Sequence, residues 1–78
     1  MRVFFFAQLR EITGLAEARV DADGIDASAF WAALLERWPE LAAHRGNTRV
    51  ARNGIYAAPD EIFAANDEVA LIPPVSGG

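Results

Sequence analysis

The chain has 78 residues and a formal net charge of −4, which bounds it to one small domain and argues against the basic stripe of a nucleic-acid binder. It has no Cys, so neither a disulfide framework nor a thiolate metal site is available, and the 53% hydrophobic fraction must supply the stability. All seven basic residues are Arg, so no side-chain amine exists for ubiquitin-type chain building, and no 20-residue apolar run exists to span a membrane. With no signal-like cleavage segment after Met1-Arg2, a soluble cytoplasmic protein is expected.

Arg2 to Leu9 reads as the first strand, since Val3-Phe4-Phe5-Phe6 is rich in strand formers and apolar on both faces. Thr13-Gly14 reads as a turn and Ala16 to Val20 as a second strand, giving a hairpin. Asp21-Ala22-Asp23-Gly24 is another turn. Asp26 is a suitable helix N-cap, because its carboxylate can accept the free amides of the first turn. Ala27, Phe30, Trp31, Leu34, Leu35 and Trp38 then fall at helical spacing, predicting a helix over 27–38 that Pro39 ends. Glu40 to Arg45 suits an extra helical turn closed by Gly46.

Thr48 to Arg52 reads as a third strand, Asn53-Gly54 as a tight turn, and Ile55-Tyr56-Ala57 as a short strand. Pro59-Asp60 and Asn66-Asp67 mark turns, the second leading into a last strand, Glu68 to Ile72. Pro73-Pro74 ends that strand, because neither residue can donate to a ladder. The fold class is therefore α+β, with one main helix packed across a mixed sheet.

The chain closes with Val75-Ser76-Gly77-Gly78. Glycines at the end remove side chains around the last carboxylate, so the backbone can thread a narrow channel and approach another protein's reactive atoms. With no Cys to carry a persulfide, a protein of this composition that handles sulfur would have to carry it on a backbone group.

This element order and tail resemble the β-grasp (ubiquitin-like) fold. Two segments sharpen the resemblance. Phe5-Phe6-Ala7-Gln8-Leu9-Arg10-Glu11, followed by Gly14, is similar to the first strand and turn of the small subunit of molybdopterin synthase (the MoaD family). Asp67 to Ile72 followed by Pro73-Pro74-Val75-Ser76-Gly77-Gly78 is similar to that family's last strand and tail. Asn53 and Asp60 also fall where the family tends to place such residues. The thiamine-pathway sulfur carrier shares the Gly-Gly ending but usually lacks the Pro-Pro step.

The resemblance implies a division of the chain into a β-grasp domain over 1–72 and an extended tail over 73–78. It implies a sulfur carrier that is not catalytic alone. An E1-like adenylating enzyme (MoeB-like) would use ATP to activate the Gly78 carboxylate, a sulfur donor would replace AMP, and the thiocarboxylate would enter the large subunit (MoaE-like). There the sulfur would pass to precursor Z to build the dithiolene of molybdopterin. No bound cofactor or metal is implied for the chain itself, and the assembly implied is a heterotetramer. The alternatives left open are a carrier for thiamine, cysteine or tRNA thiolation, a ubiquitin-like protein modifier, and a plain interaction module with an inert tail.

Strand alternation predicts the docking surface. Val3, Phe5, Val69 and Leu71 share the helix side, while Phe4, Phe6, Ala70 and Ile72 share the open side, with Tyr56 near them. Two exposed Phe rings make an apolar patch of the kind that marks a partner site. Phe4, Phe6, Tyr56, Ala70, Ile72, Pro73, Pro74, Val75 and Ser76 are thus the candidate partner-binding residues, Gly78 carries the reacting atoms, and Gly77 provides clearance.

Other residues are read as structural. His44 belongs to a turn, Asp21, Asp23 and Asp26 to a turn and a cap rather than a calcium loop, and Trp31 and Trp38 to the core. Asp60-Glu61 and Asp67-Glu68 are expected to be solvated turn charges. Arg10-Glu11 is either an exposed ion pair or a contact for the activating enzyme.

Overall fold

The computed structural model describes residues 1–74. Its main sheet has five strands in the order β2-β1-β7-β4-β5: β1 is Arg2–Phe5, β2 Glu17–Arg19, β4 Arg49–Arg52, β5 Ile55–Tyr56 and β7 Glu68–Ile72. The central pair, β1 and β7, runs parallel, with Val3 opposite Val69 and Phe5 opposite Leu71. All other pairs in the main sheet are antiparallel. A separate two-stranded ladder joins β3 (Ile25–Asp26) to β6 (Ile62–Phe63).

Helix α2, Ala27–Arg37, begins where expected, with the Asp26 carboxylate accepting the Ala29 N–H at 2.9 Å. Its residues Phe30, Trp31 and Leu34 are buried and join Val3, Phe5, Val69 and Leu71 in one core. Trp38 ends the helix, and its ring meets Phe5 edge-on at 5.1 Å. A 3-10 helix, Pro39–Asn47, follows and buries Leu41, extending the single turn expected there. Gly46 lies inside it, and Thr48 caps it.

The first expected strand is too long. β1 stops at Phe5, and residues Ala7–Thr13 form helix α1 instead. The switch is made by Ala7, whose φ of 50° is left-handed, a conformation uncommon outside glycine. It turns the chain sharply after the extended residue Phe6 and sends Leu9 into the core. Gly14 is therefore no hairpin turn. It is the left-handed C-cap of α1 at φ 75°, its N–H donating to the Arg10 carbonyl at 2.8 Å. β1 and β2 still pair antiparallel, but through a helix rather than a tight loop.

The β3–β6 ladder is likewise absent from the sequence reading. Each strand has two residues, too few to present a periodicity. Its core contribution is Phe63, which stacks on Phe30 at 5.1 Å.

Candidate functional site

β7 is the strand that leads to the tail, so the surface around its end is the candidate site. Alternation along β7 buries Val69 and Leu71 against α2 and turns Ala70 and Ile72 to the other face. The register then assembles that open face row by row. Phe4 lies opposite Ala70 on one side, and Ala51 lies opposite Ala70 on the other. Tyr56 pairs with Ala51, completing an apolar row from β1 to β5. One row nearer the tail, Arg49 is opposite Ile72. Phe6 follows directly from β1 at the same end of the sheet.

Phe4, Ala70, Ile72 and Pro73 are half-buried, whereas Phe6, Tyr56 and Pro74 are exposed. Phe6 is 49% and Tyr56 53% exposed, which sets them apart from the buried aromatics of the core. Strand alternation had put Phe6 on the open face as part of β1. It stands outside the strand, where the turn at Ala7 leaves its ring in solvent. Pro73 and Pro74 follow β7 outside any element. Val75, Ser76, Gly77 and Gly78 lie outside the described residues.

The far end of the open face is polar. Arg2 pairs with Glu17 at 3.0 Å and with Glu68 at 3.1 Å, and its guanidinium also lies 5.1 Å from the Phe4 ring. The tail end carries Arg49, which stacks on Tyr56 at 3.8 Å from the ring centroid. Sequence reading missed Arg49 because its meaning lies in the pairing of β4 with β7, which no local pattern reports.

Asp67 corrects the expectation of a solvated turn charge, since it is only 7% exposed. Its carboxylate accepts the Arg52 Nε–H, the Asn53 Nδ2–H at 3.0 Å and the Ala64 N–H at 2.7 Å. These partners, the Arg52 bond foremost, pull its pKa down from 3.8 to about 2 against the opposing effect of burial. Asn53 returns the bond, its Oδ1 accepting the Glu68 N–H at 2.9 Å. Glu61 is engaged as well, 3.5 Å from Arg52, while Asp60 and Glu68 are exposed. The cluster welds the β4–β5 turn to the start of β7. It has a structural role in aiming the strand that carries the tail.

The remaining acids act locally. Asp23 accepts the Ala65 N–H at 2.9 Å, and no group of three potential ligands able to hold a metal is present among the described residues. His44 uses its backbone carbonyl to accept the Thr48 hydroxyl at 2.6 Å. Arg10 and Glu11 lie exposed on α1. No helix among the described residues is long and apolar enough to cross a membrane.

Comparison with known proteins decides the family. The ThiS family model matches residues 3–78. The chain belongs to the ThiS family. Small archaeal modifier protein 1 of Haloferax volcanii is 43% identical, with 94% of each chain covered. The molybdopterin synthase sulfur carrier subunit of Escherichia coli is 38% identical over 100% of this chain and 99% of its own. A crystal structure of the Haloferax volcanii modifier superposes with a TM-score of 0.84 at 38% identity, covering 99% of this chain and 97% of the other. The architecture is thus the ubiquitin-like β-grasp, and the likeness to the small subunit of molybdopterin synthase runs the length of the chain. This ThiS-family chain is a sulfur carrier of the type that includes those subunits.

Proposed function

We propose that this chain is the sulfur-carrying subunit of molybdopterin synthase. The observation that carries the reading is the end-to-end similarity to sulfur carrier subunits of that enzyme, tail included. The open sheet face running into Pro73-Pro74 supports it.

The chemistry follows from the tail. A terminal carboxylate is ionised at neutral pH, with a pKa of about 3.3–3.7, and is a poor electrophile. An E1-like adenylating enzyme uses ATP to convert the Gly78 carboxylate to an acyl adenylate with release of pyrophosphate. A sulfur donor then displaces AMP, leaving a thiocarboxylate on Gly78. The sulfur is a soft nucleophile, and Gly77 adds no side chain that would obstruct its approach.

Pro73 and Pro74 favour an extended exit from the sheet, which lowers the entropy lost on threading. The six residues from Pro73 to Gly78 reach roughly 20 Å, enough to enter a pocket in a partner. In this reading the large subunit receives the tail while the open face docks beside it. Sulfur passes to precursor Z, and two such transfers build the dithiolene. The assembly is a heterotetramer acting in the cytoplasm.

Intact-protein mass spectrometry after incubation with the E1-like enzyme, ATP and a sulfur donor tests this. The expected result is a mass gain of one oxygen-to-sulfur exchange, lost when Gly78 is deleted, and sulfur transfer when the large subunit and precursor Z are added. An unchanged mass with a demonstrably active enzyme would overturn it.

A second reading is favoured by the similarity to an archaeal modifier protein. In it Gly78 forms isopeptide bonds with lysines of target proteins. The chain has no Lys of its own, so side-chain-linked polymers of it cannot form. Conjugates resistant to denaturing electrophoresis would support that reading.

A further inference from the structure

The charges on the open sheet face are unevenly answered. At the end of the face remote from the tail, Arg2 has Glu17 and Glu68 within 3.1 Å, so its charge is already satisfied within the chain. At the tail end, Arg49 is exposed and makes neither an ion pair nor a side-chain hydrogen bond with any described residue. It lies opposite Ile72, the last residue of β7, immediately before Pro73.

Arg49 is also held in place. Its guanidinium rests 3.8 Å from the centroid of the Tyr56 ring, across the β4–β5 hairpin. Stacking on a ring face restrains the long side chain while leaving its N–H donors pointing outward at the edge of the plane. An ordered side chain loses less entropy when it meets a partner. The chain as a whole carries a net charge of −4, so an exposed arginine on this face, unpaired among the described residues, is a local point of attraction for an acidic partner patch on a net-negative chain.

We infer that Arg49, steadied by Tyr56, is a specificity-determining contact at the root of the tail, and that the large subunit receiving the tail presents a carboxylate to it. The inference rests on the docking reading under Proposed function. It adds a charged register mark to an otherwise apolar face. An apolar surface alone tolerates sliding, whereas one ion pair beside Ile72 fixes where β7 ends relative to the tail channel.

The test is the affinity of the purified chain for the large subunit, measured by calorimetry at low and high salt, for wild type, Arg49→Gln and Arg49→Glu. Thermal melts of each variant check the fold. Expected losses are about threefold for Arg49→Gln and about tenfold or more for Arg49→Glu, with a weaker salt dependence in both. Tyr56→Leu keeps apolar bulk but frees the guanidinium, and the Arg49→Gln loss should shrink in that background. Unchanged affinity and salt dependence in Arg49→Glu, or tighter binding by it, would overturn the inference while wild-type binding keeps the docking reading intact. Failure of the wild-type chain to bind the large subunit would overturn both.

Discussion

Arg52 on β4 donates its Nε–H to the buried carboxylate of Asp67, in the turn that opens β7. The two residues are 15 apart in sequence and hold two neighbouring strands in register at the end of the sheet remote from the tail. Asn53 and the Ala64 amide also donate to the carboxylate, so each of its two oxygens accepts at least one hydrogen bond where it is buried.

Asp67 therefore makes the chain acid-sensitive. Its folded pKa of about 2 lies below the unfolded value of about 3.9, so folding favours the carboxylate. The contribution is fully present above about pH 4 and is lost as pH falls toward 2. It is worth at most about 2–3 kcal/mol. Asp67→Asn should lower stability at pH 7 by about 1–3 kcal/mol, since it removes the nearer of the two carboxylates paired with Arg52 and leaves only Glu61, 3.5 Å away. Urea unfolding from pH 7 to pH 2 should show the gap between wild type and variant closing below pH 4. A constant gap across that range would place the stabilisation elsewhere.

Neighbouring phenylalanines should behave oppositely. Phe5 is 2% exposed in the core, and Phe5→Ala should cost about 3–5 kcal/mol of stability. Phe6→Ala and Ile72→Ala should leave the fold largely intact and weaken binding to the large subunit, each by about tenfold if the ring or side chain is central to the interface. Melting curves and binding isotherms separate the effects. A Phe6→Ala chain that unfolds would put that ring in the core.

Ala7 gives a substitution with an unusual sign. Within an ordinary helix Ala→Gly costs about 1 kcal/mol. At the left-handed φ of 50° glycine removes steric strain, so Ala7→Gly should be neutral or stabilising by up to about 1 kcal/mol. Ala7→Val should destabilise by about 1–3 kcal/mol, because a β-branched residue resists this conformation. Denaturant midpoints of the two variants check the pair.

Asp26 should show the plain value of a helix cap. Its carboxylate accepts the Ala29 N–H at 2.9 Å, and Asp26→Ala should lower stability by about 1 kcal/mol, with Asp26→Ser retaining most of it. Thermal melts provide the comparison.

The sequence by itself determined the α+β class, the cap at Asp26, the span of α2, the last strand and the apolar division of β1 and β7. Each rests on a periodicity or a turn preference contained in a few consecutive residues. The Pro-Pro-Val-Ser-Gly-Gly ending, together with the Phe5 to Glu11 segment, pointed to the carrier reading through resemblance to a known family. Tertiary structure decided the rest. Helix α1 was hidden because the strand-forming run continues through Phe6, while the break depends on a left-handed alanine that no residue type announces. The β3–β6 ladder was hidden because two-residue strands exist only through each other. Asp67 reads as a surface acid until Arg52 and Asn53 close over it, and Arg49 reads as an ordinary strand charge until register sets it beside Ile72 and above Tyr56. These are pairings between residues far apart in the chain. Their energies depend on which strands become neighbours, and that is settled only when the apolar faces of β1, β7 and α2 bury one another.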